Sequence, residues 1–404
     1  MSRSTEPGRA QRGQTSRALV PACLVAAAGG WGLTAAGAGA GTLATRYDTS
    51  LVVIGLLTTV LAVPYAAMQL PAGHLVDRFG ARRTALVGLG VVVLSYVAAV
   101  VVPVLAVAFG ARILAGAGSA VGFVVGADLA RRAGVGPVGL GVFGGAAIGS
   151  GGLAVGVVPA LEPLLGWSAA WVTCAATAAA AIVAVAVGVD APSARAARPA
   201  RLAAGPSVLG DGELYRLAAV HGVTLGLGVV LGNWAAVILH DRWGLPSGAS
   251  SAIASLVLLT TIVSRPLGGY LAERFPHQMR WVVALALAVC AIDTVALAFP
   301  STAAVAVAVV LTLGVASGLP FAAVLASAQR WRPDRPAAAV GLLNAMANSL
   351  VVIGTPLLAA AIESGQSVLA LSVTGALWLV PVAALPRSLS RTSSRRRSAR
   401  PGPP

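Results

Sequence analysis

Residues 73–79 read Gly-His-Leu-Val-Asp-Arg-Phe, and residues 269–275 read Gly-Tyr-Leu-Ala-Glu-Arg-Phe. Both follow the order Gly, any residue, Leu, any residue, acid, Arg, Phe, about half the chain apart. Each closes one long apolar run and precedes another. A charged hairpin repeated between apolar runs of that length has little use in a soluble domain. It is expected of a membrane protein assembled from two related halves that rock against each other about a central site.

The composition points the same way. Of 404 residues, 57% are hydrophobic and 10% are charged, where ordinary soluble domains carry about 25% charge. Apolar runs such as 85–102 and 303–325 fall within the roughly 17–25 residues that cross a bilayer as helix. A soluble enzyme is excluded. The net charge of +15 does not signal nucleic acid, because the chain has no Lys and its 28 basic residues are arginines placed by loop parity. Membrane sidedness and anionic headgroups account for them. Cys23, Cys174 and Cys290 stand singly in apolar stretches and read as small buried hydrophobes, with no metal-ligand spacing. Neither a metal nor a cofactor is expected.

Apolar length, Gly and Pro punctuation and charge together predict an all-α polytopic membrane protein with twelve spans. They run over 18–44, 51–72, 84–102, 104–129, 137–160 and 167–189, then 214–239, 247–271, 281–299, 301–329, 337–361 and 367–386. The expected organisation is a polar head (1–17), a six-helix bundle (18–189), an Ala/Arg/Pro-rich linker (190–213), a second six-helix bundle (214–386) and an Arg/Ser tail (387–404). The first run is far longer than the roughly 7–15 apolar residues of a signal peptide and is read as a retained span. Twelve crossings put both termini on one side, and the arginines test that independently. Only Arg46 and Arg242 fall in opposite loops, and only Arg112 and Arg265 lie inside spans; every other arginine falls on the side of the termini. Both termini are therefore expected to be cytoplasmic, in a bacterial plasma membrane. Trp167, Trp171 and Trp243 near outer ends, with Trp281 and Trp331 near inner ends, read as interfacial anchors.

The segment from Gly73 to Arg83, Gly-His-Leu-Val-Asp-Arg-Phe-Gly-Ala-Arg-Arg, resembles the loop 2–3 signature of the major facilitator superfamily, Gly-x-Leu-x-Asp-Arg-x-Gly-Arg-[Arg/Lys]-[Arg/Lys]. Only Ala81 departs from it. Residues 112–118, Arg-Ile-Leu-Ala-Gly-Ala-Gly, are similar to that family's helix 4 pattern. The resemblance implies twelve helices in two pseudo-symmetric bundles, a cavity lined by helices 1, 4, 7 and 10, and secondary transport by alternating access. Residues 264–275 look like helix 8 of the nitrate/nitrite and cyanate porter-like branches, but span 51–72 lacks the substrate-binding Arg those nitrate porters carry. Helix 5 approximates the antiporter signature Gly-x-x-x-Gly-Pro-x-x-Gly-Gly, with Ser150 in place of Pro and Leu153 and Ala154 in place of the last glycines.

Gly73, Asp77, Arg78, Gly80, Arg82 and Arg83, with their echo Gly269, Glu273 and Arg274, form a candidate cytoplasmic gate. Asp128, at the inner end of span four, is the expected partner of the loop arginines. The alternative is that these charges only set topology and solvate a loop. A charge inside a span costs at least about 2.5–3.5 kcal/mol and marks function by default. Arg112, Arg265, His221, Asn233 and Trp31 are accordingly the candidate substrate residues. Arg112 could instead be held by backbone carbonyls, and Arg265 could snorkel to the inner surface. His221 and Asp293, the carboxylate well inside a span, are the candidates for proton coupling. Asn344 and Asn348, four apart, are expected to bond across helices.

The expected function is a secondary active transporter of a small anionic or neutral polar solute, proton-coupled and monomeric, with the bilayer as its other partner. Two readings compete with it: efflux of hydrophobic drugs or metabolites by antiport, and a transporter-like receptor without net flux. No paired carboxylates, His-x-x-x-His or Cys cluster supports an enzyme, and a chain without Lys cannot hold a Gly-x-x-x-x-Gly-Lys phosphate loop.

Overall fold

In lipid every backbone N–H and C=O needs a partner within the protein, so long apolar runs resolve as helices. The computed structural model describes residues 9–190 and 207–390, which contain helices and no strand. The larger part of the linker and of the tail, and the first eight residues of the head, lie outside the described residues.

The membrane-length helices of the first half are α1 (Arg9–Ala38), α2 (Leu51–Phe79), α3 (Ala81–Val101), α4 (Leu105–Arg132), α5 (Gly136–Leu165) and α6 (Ala169–Gly188). Those of the second are α7 (Gly212–Asp241), α8 (Gly248–Arg274), α9 (Met279–Ala296), α10 (Ala303–Trp331), α11 (Pro336–Glu363) and α12 (Ser367–Ala384). Among the described residues eleven stretches are long and apolar enough to cross a membrane. One of them, Gly136–Gly188, holds both α5 and α6, divided by the turn at Gly166–Ser168. Twelve crossings result.

The departures from the expected spans have local causes. The first span stops at Ala38, and a separate short helix runs over Ala40–Tyr47. The break falls at Gly39 in a run of alternating Ala and Gly, where helix propensity is poor. Helix α7 widens into a π turn over Gly222–Leu227, and α10 is offset at Leu319, just before Pro320, which lacks the N–H an unbroken helix needs. Trp171 and Trp243 are not interfacial anchors. Trp171 is fully buried, stacked on Tyr96 at 5.9 Å and donating to the Tyr47 hydroxyl at 3.1 Å. Trp243 donates to the Leu297 carbonyl at 3.0 Å. An indole N–H can sit in an apolar interior once it has such an acceptor. Trp281, 78% exposed, keeps an anchor's position.

Within each half, small residues set the spacing, since apolar side chains gain nothing by leaving lipid and close contact must hold the helices together. Gly116 of α4 lies where any Cβ would run into the Leu61 carbonyl of α2, and Gly118 meets the Gly88 backbone of α3 in the same way. Between halves, contact runs along α2 with α11 and α5 with α8. Residues 336–344, the start of α11, are all buried, whereas Ser349, Ile353 and Leu357 farther along are exposed. The halves therefore meet at the arginine-rich end and part towards the other.

Gly116→Leu should drive α4 off α2 and destabilise the first bundle by about 1–3 kcal/mol, as overpacking does. Thermal unfolding of the purified protein in detergent reads this as a lowered midpoint; an unchanged midpoint would show that the contact is dispensable.

Candidate functional site

At the arginine-rich end, Asp77 sits in the last turn of α2. Its carboxylate accepts the backbone N–H groups of Ala337 at 3.2 Å and Ala338 at 2.9 Å, the first turn of α11 in the opposite half. Glu273, in the last turn of α8, accepts the Val138 N–H at 3.1 Å in the first turn of α5. Each acid thus occupies a helix N-terminus, where N–H groups lack intrahelical partners and the helix dipole favours negative charge. The glycines permit the approach: a Cβ on Gly73 would come within 2.6 Å of the Ala337 carbonyl oxygen and Ala338 Cα, and Gly269 lies equally close to the Pro137 and Val138 backbone. Gly80 ends α2 with φ +83°, a backbone that side-chain-bearing residues rarely adopt.

The arginines do other work. Arg78 lies over the ring of Phe79 and Arg274 over that of Phe275, at 5.1 and 5.6 Å. Arg82 donates to the Ala186 carbonyl of α6 at 3.2 Å. Asp128 does not pair with the loop 2–3 arginines as expected. It accepts from Arg131 and Arg132 of its own helix, each at 2.6 Å, because residues three and four apart are the nearest partners on a helix. Closure is therefore acid to helix N-terminus, not acid to arginine. Gln329 of α10 adds a further tie between halves, donating to the Ala127 carbonyl of α4 at 3.2 Å while 5% exposed. In the turn before α11, Arg332 bonds Asp334 at 2.8 Å, which holds the Asp334 carboxyl below the ordinary carboxylate range.

Eight residues before each acid, about 12 Å deeper at 1.5 Å per residue, a buried polar layer crosses the seam. On one side Gln69 of α2 accepts from the Asn344 amide of α11 at 3.0 Å, and the Asn344 oxygen lies 2.8 Å from His221 Nε2 of α7. The Asn344 amide thus bridges Gln69 and His221, and the other ring nitrogen, Nδ1, has no hydrogen-bond partner among the described residues. His221 stands 5.7 Å from the Phe321 ring of α10, and Arg265 of α8 lies over the same ring at 4.1 Å. Arg265 then donates to the Gly144 carbonyl of α5 at 2.9 Å. The layer brings His221 and Arg265 together. Asn348 is not part of it and bonds the Asn344 carbonyl of its own helix.

Above this layer a cleft opens, lined on α7 by Thr224, Gly228 and Val229, on α8 by Thr261 and Arg265, and on α10 by Ser317, with Ile148 of α5 facing them. Thr224 belongs to the π turn, an irregularity that often marks functional sites. Asn233, one turn beyond Val229, is exposed and lies on the same stripe.

The remaining candidates lie elsewhere. Arg112 is fully buried in the first half, donating to the carbonyls of Leu57 at 2.9 Å and Gly32 at 2.6 Å and to the Tyr96 hydroxyl at 3.2 Å. It ties α4 to α1, α2 and α3. Trp31 donates to Thr173 of α6 at 3.1 Å. Asp293 on α9, 8% exposed and with one carboxyl oxygen that has no hydrogen-bond partner among the described residues, is not among the residues lining the cleft. Sequence reasoning missed Gln69, Phe321, Thr261 and Ser317. Gln69 was within reach of it, since Gln69 precedes Asp77 by the same interval as Arg265 precedes Glu273.

Asp77→Ala should weaken closure by roughly 0.5–2 kcal/mol, the usual cost of losing an N-terminal cap. Spin-label distances between the arginine-rich ends of α2 and α11 should then show a larger separated population, and an unaltered distribution would remove Asp77 from the closure. Arg112→Leu removes the bonds that tie α4 to α1, α2 and α3, about 1.5–3 kcal/mol each for a charged donor, and should lower the melting midpoint, with no change in which solutes stabilise the remaining folded protein.

Comparison with known proteins gives a consistent picture. A family model described as Major Facilitator Superfamily matches residues 22–356. No curated protein matches the chain by sequence. Among solved structures, a proton:xylose symporter, XylE, bound to 6-bromo-6-deoxy-D-glucose, is similar at TM-score 0.70 and 11% identity, covering 92% of this chain and 95% of that one. A bacterial homologue of the iron transporter ferroportin in an outward-facing state gives TM-score 0.74 at 16% identity, over 94% of this chain and 100% of the other. The human organic anion transporter MFSD10 (TETRAN) gives TM-score 0.70 at 16% identity with the same coverage.

Proposed function

The chain belongs to the major facilitator superfamily, a family of secondary transporters, and on that premise we propose that it moves a small anionic or neutral polar solute, coupled to protons, by alternating access. The observation that carries this reading is the pair of acids reaching across to the opposite half, Asp77 to α11 and Glu273 to α5. Contacts of that kind break as a unit when two bundles rock apart, and a few kcal/mol biases which end is open. With both termini cytoplasmic, as the arginine distribution implies, the closed end faces the cytoplasm and the cleft faces outward.

Solute preference follows from the lining. Among the described residues, Arg265 is the charged side chain lining the cleft and no carboxylate lines it, which disfavours cations. Arg78, Arg82 and Arg83 with Arg274 flank the gate and favour the cytoplasmic side. His221 is the better placed of the two proton candidates, since the seam itself runs through it, while Asp293 sits on α9 against α10 and α12. Ile148, Leu225, Val229 and Leu258 also line the cleft, and this apolar wall favours hydrophobic efflux as the second reading. A single chain suffices for the mechanism.

Purified protein in liposomes should accumulate or release solute when a pH gradient is imposed. His221→Ala should abolish gradient-driven flux while exchange of labelled solute persists; Asp293→Asn should leave flux intact. Binding of solute with no flux in either direction would replace transport with a receptor role.

A further inference from the structure

We infer that Asp211, where the linker joining the halves enters α7, is a positioning residue of the closed end: through Trp331 and Arg332 it fixes the turn that presents the N-terminus of α11 to Asp77. The inference deepens the transporter reading, naming what holds one of the two seams in register, and rests on that reading for the meaning of the closure.

Asp211 caps α7. Its Oδ1 accepts the N–H groups of Glu213 at 3.1 Å and Leu214 at 3.3 Å, donors that a helix start leaves without intrahelical partners. Capping needs only that one oxygen. The indole N–H of Trp331, at the end of α10, reaches both carboxylate oxygens at 3.1 and 3.0 Å, and Arg332 Nη1 stands 3.7 Å from Oδ2. Arg332 is buried and holds Asp334 at two points, Nε to Oδ1 at 3.0 Å and Nη2 to Oδ2 at 2.8 Å, a paired geometry that adds orientation to strength. The turn that follows is short. The Arg335 N–H donates to the Arg332 carbonyl at 3.2 Å, and α11 starts at Pro336. Next come Ala337 and Ala338, whose N–H groups Asp77 accepts. Just before Asp211, Val208 is fully buried in a tight turn, Val208–Gly210, packed on α11.

This arrangement belongs to one seam. Helix α5, whose first turn meets Glu273, follows Ala-Gly-Val at 133–135, which carry no charge. Asp128, farther back, is taken by Arg131 and Arg132 of its own helix. A helix start receives a carboxylate only where its donors point at it, so fixing the turn before α11 favours the gripped state over the separated one and shifts the population accordingly. Asp211 and Asp77 share no bond but act on the same helix start, so their contributions to closure are coupled. Glu273 acts on another helix, and its contribution adds independently.

The test uses full-length protein in detergent, with Cys23→Ser to remove the half-buried thiol and spin labels at the arginine-rich ends of α2 and α11. The readout is the ratio of separated to closed distances. Asp211→Ser is the variant, because Ser caps a helix about as well as Asp but loses the charge and the oxygen that meet Trp331 and Arg332. It should raise the ratio roughly threefold or more, within the range of a lost helix-end contact. The same rise should appear when Glu273→Ala is also present, and little should be added when Asp77→Ala is present. A carboxylate that only caps α7 would leave the ratio unchanged in every background. Trp331→Phe, which keeps a ring and loses the N–H, should act in the same direction and carries the test if Asp211→Ser does not purify. The inference is overturned by an unchanged ratio in either variant, or by equal effects of Asp211→Ser with and without Asp77. Coupled effects in a protein that shows no flux in liposomes would sink the transport reading and leave this one standing; flux with an unchanged ratio would do the reverse.

Discussion

A carboxylate set against the first N–H groups of a helix from the opposite half is the interaction on which the closed end depends. It succeeds where a salt bridge would be a poor choice. Two mobile side chains at a wet membrane edge gain little from pairing, whereas a helix N-terminus is a fixed array of donors that costs no side-chain entropy on the acceptor's far side. Asp77 and Glu273 therefore bond rigid backbone, and the glycines beside them bring the helices close enough for short side chains to reach. The arginines are left to stack on Phe79 and Phe275.

The internal symmetry makes the exceptions informative. The capping acids and the glycines beside them occur twice, one set on each seam, down to Gln69 and Arg265. From there one side is a chain of neutral amides ending at His221, and the other is a guanidinium shared between a ring and a carbonyl. Phe321 touches both, standing between His221 and Arg265. His221 and Arg265 thus meet through an aromatic face and not through a hydrogen bond.

Much of the architecture was legible in the sequence because lipid imposes few solutions: apolar length gives the crossings, and the repeated hairpin gives the halves. The site was legible only in part. Asp77 and Glu273 stood out as charges at helix ends, but their partners are backbone N–H groups, which no residue type announces. Arg112 and Arg265 read alike as buried charges, yet one is enclosed by carbonyls of its own bundle and the other lines the cleft. Depth alone does not separate them; which helix each faces does, and that is a matter of packing. Asp128 was assigned to distant arginines when two nearer ones lay on its own helix.

The wide turn in α7 has one more consequence. Six residues, Gly222–Leu227, are wound in π geometry, which holds a surplus residue relative to an ordinary turn. Rewinding that stretch to α pitch would rotate everything on one side of it by about 100°, the angle per residue of a 3.6-residue turn. His221 sits at one edge of the turn and the cleft-facing Gly228 at the other. The helix therefore carries a built-in quarter-twist between its imidazole and its cleft-lining stripe, and releasing it would also lengthen α7 by about 1.5 Å, the rise of one α-helical residue.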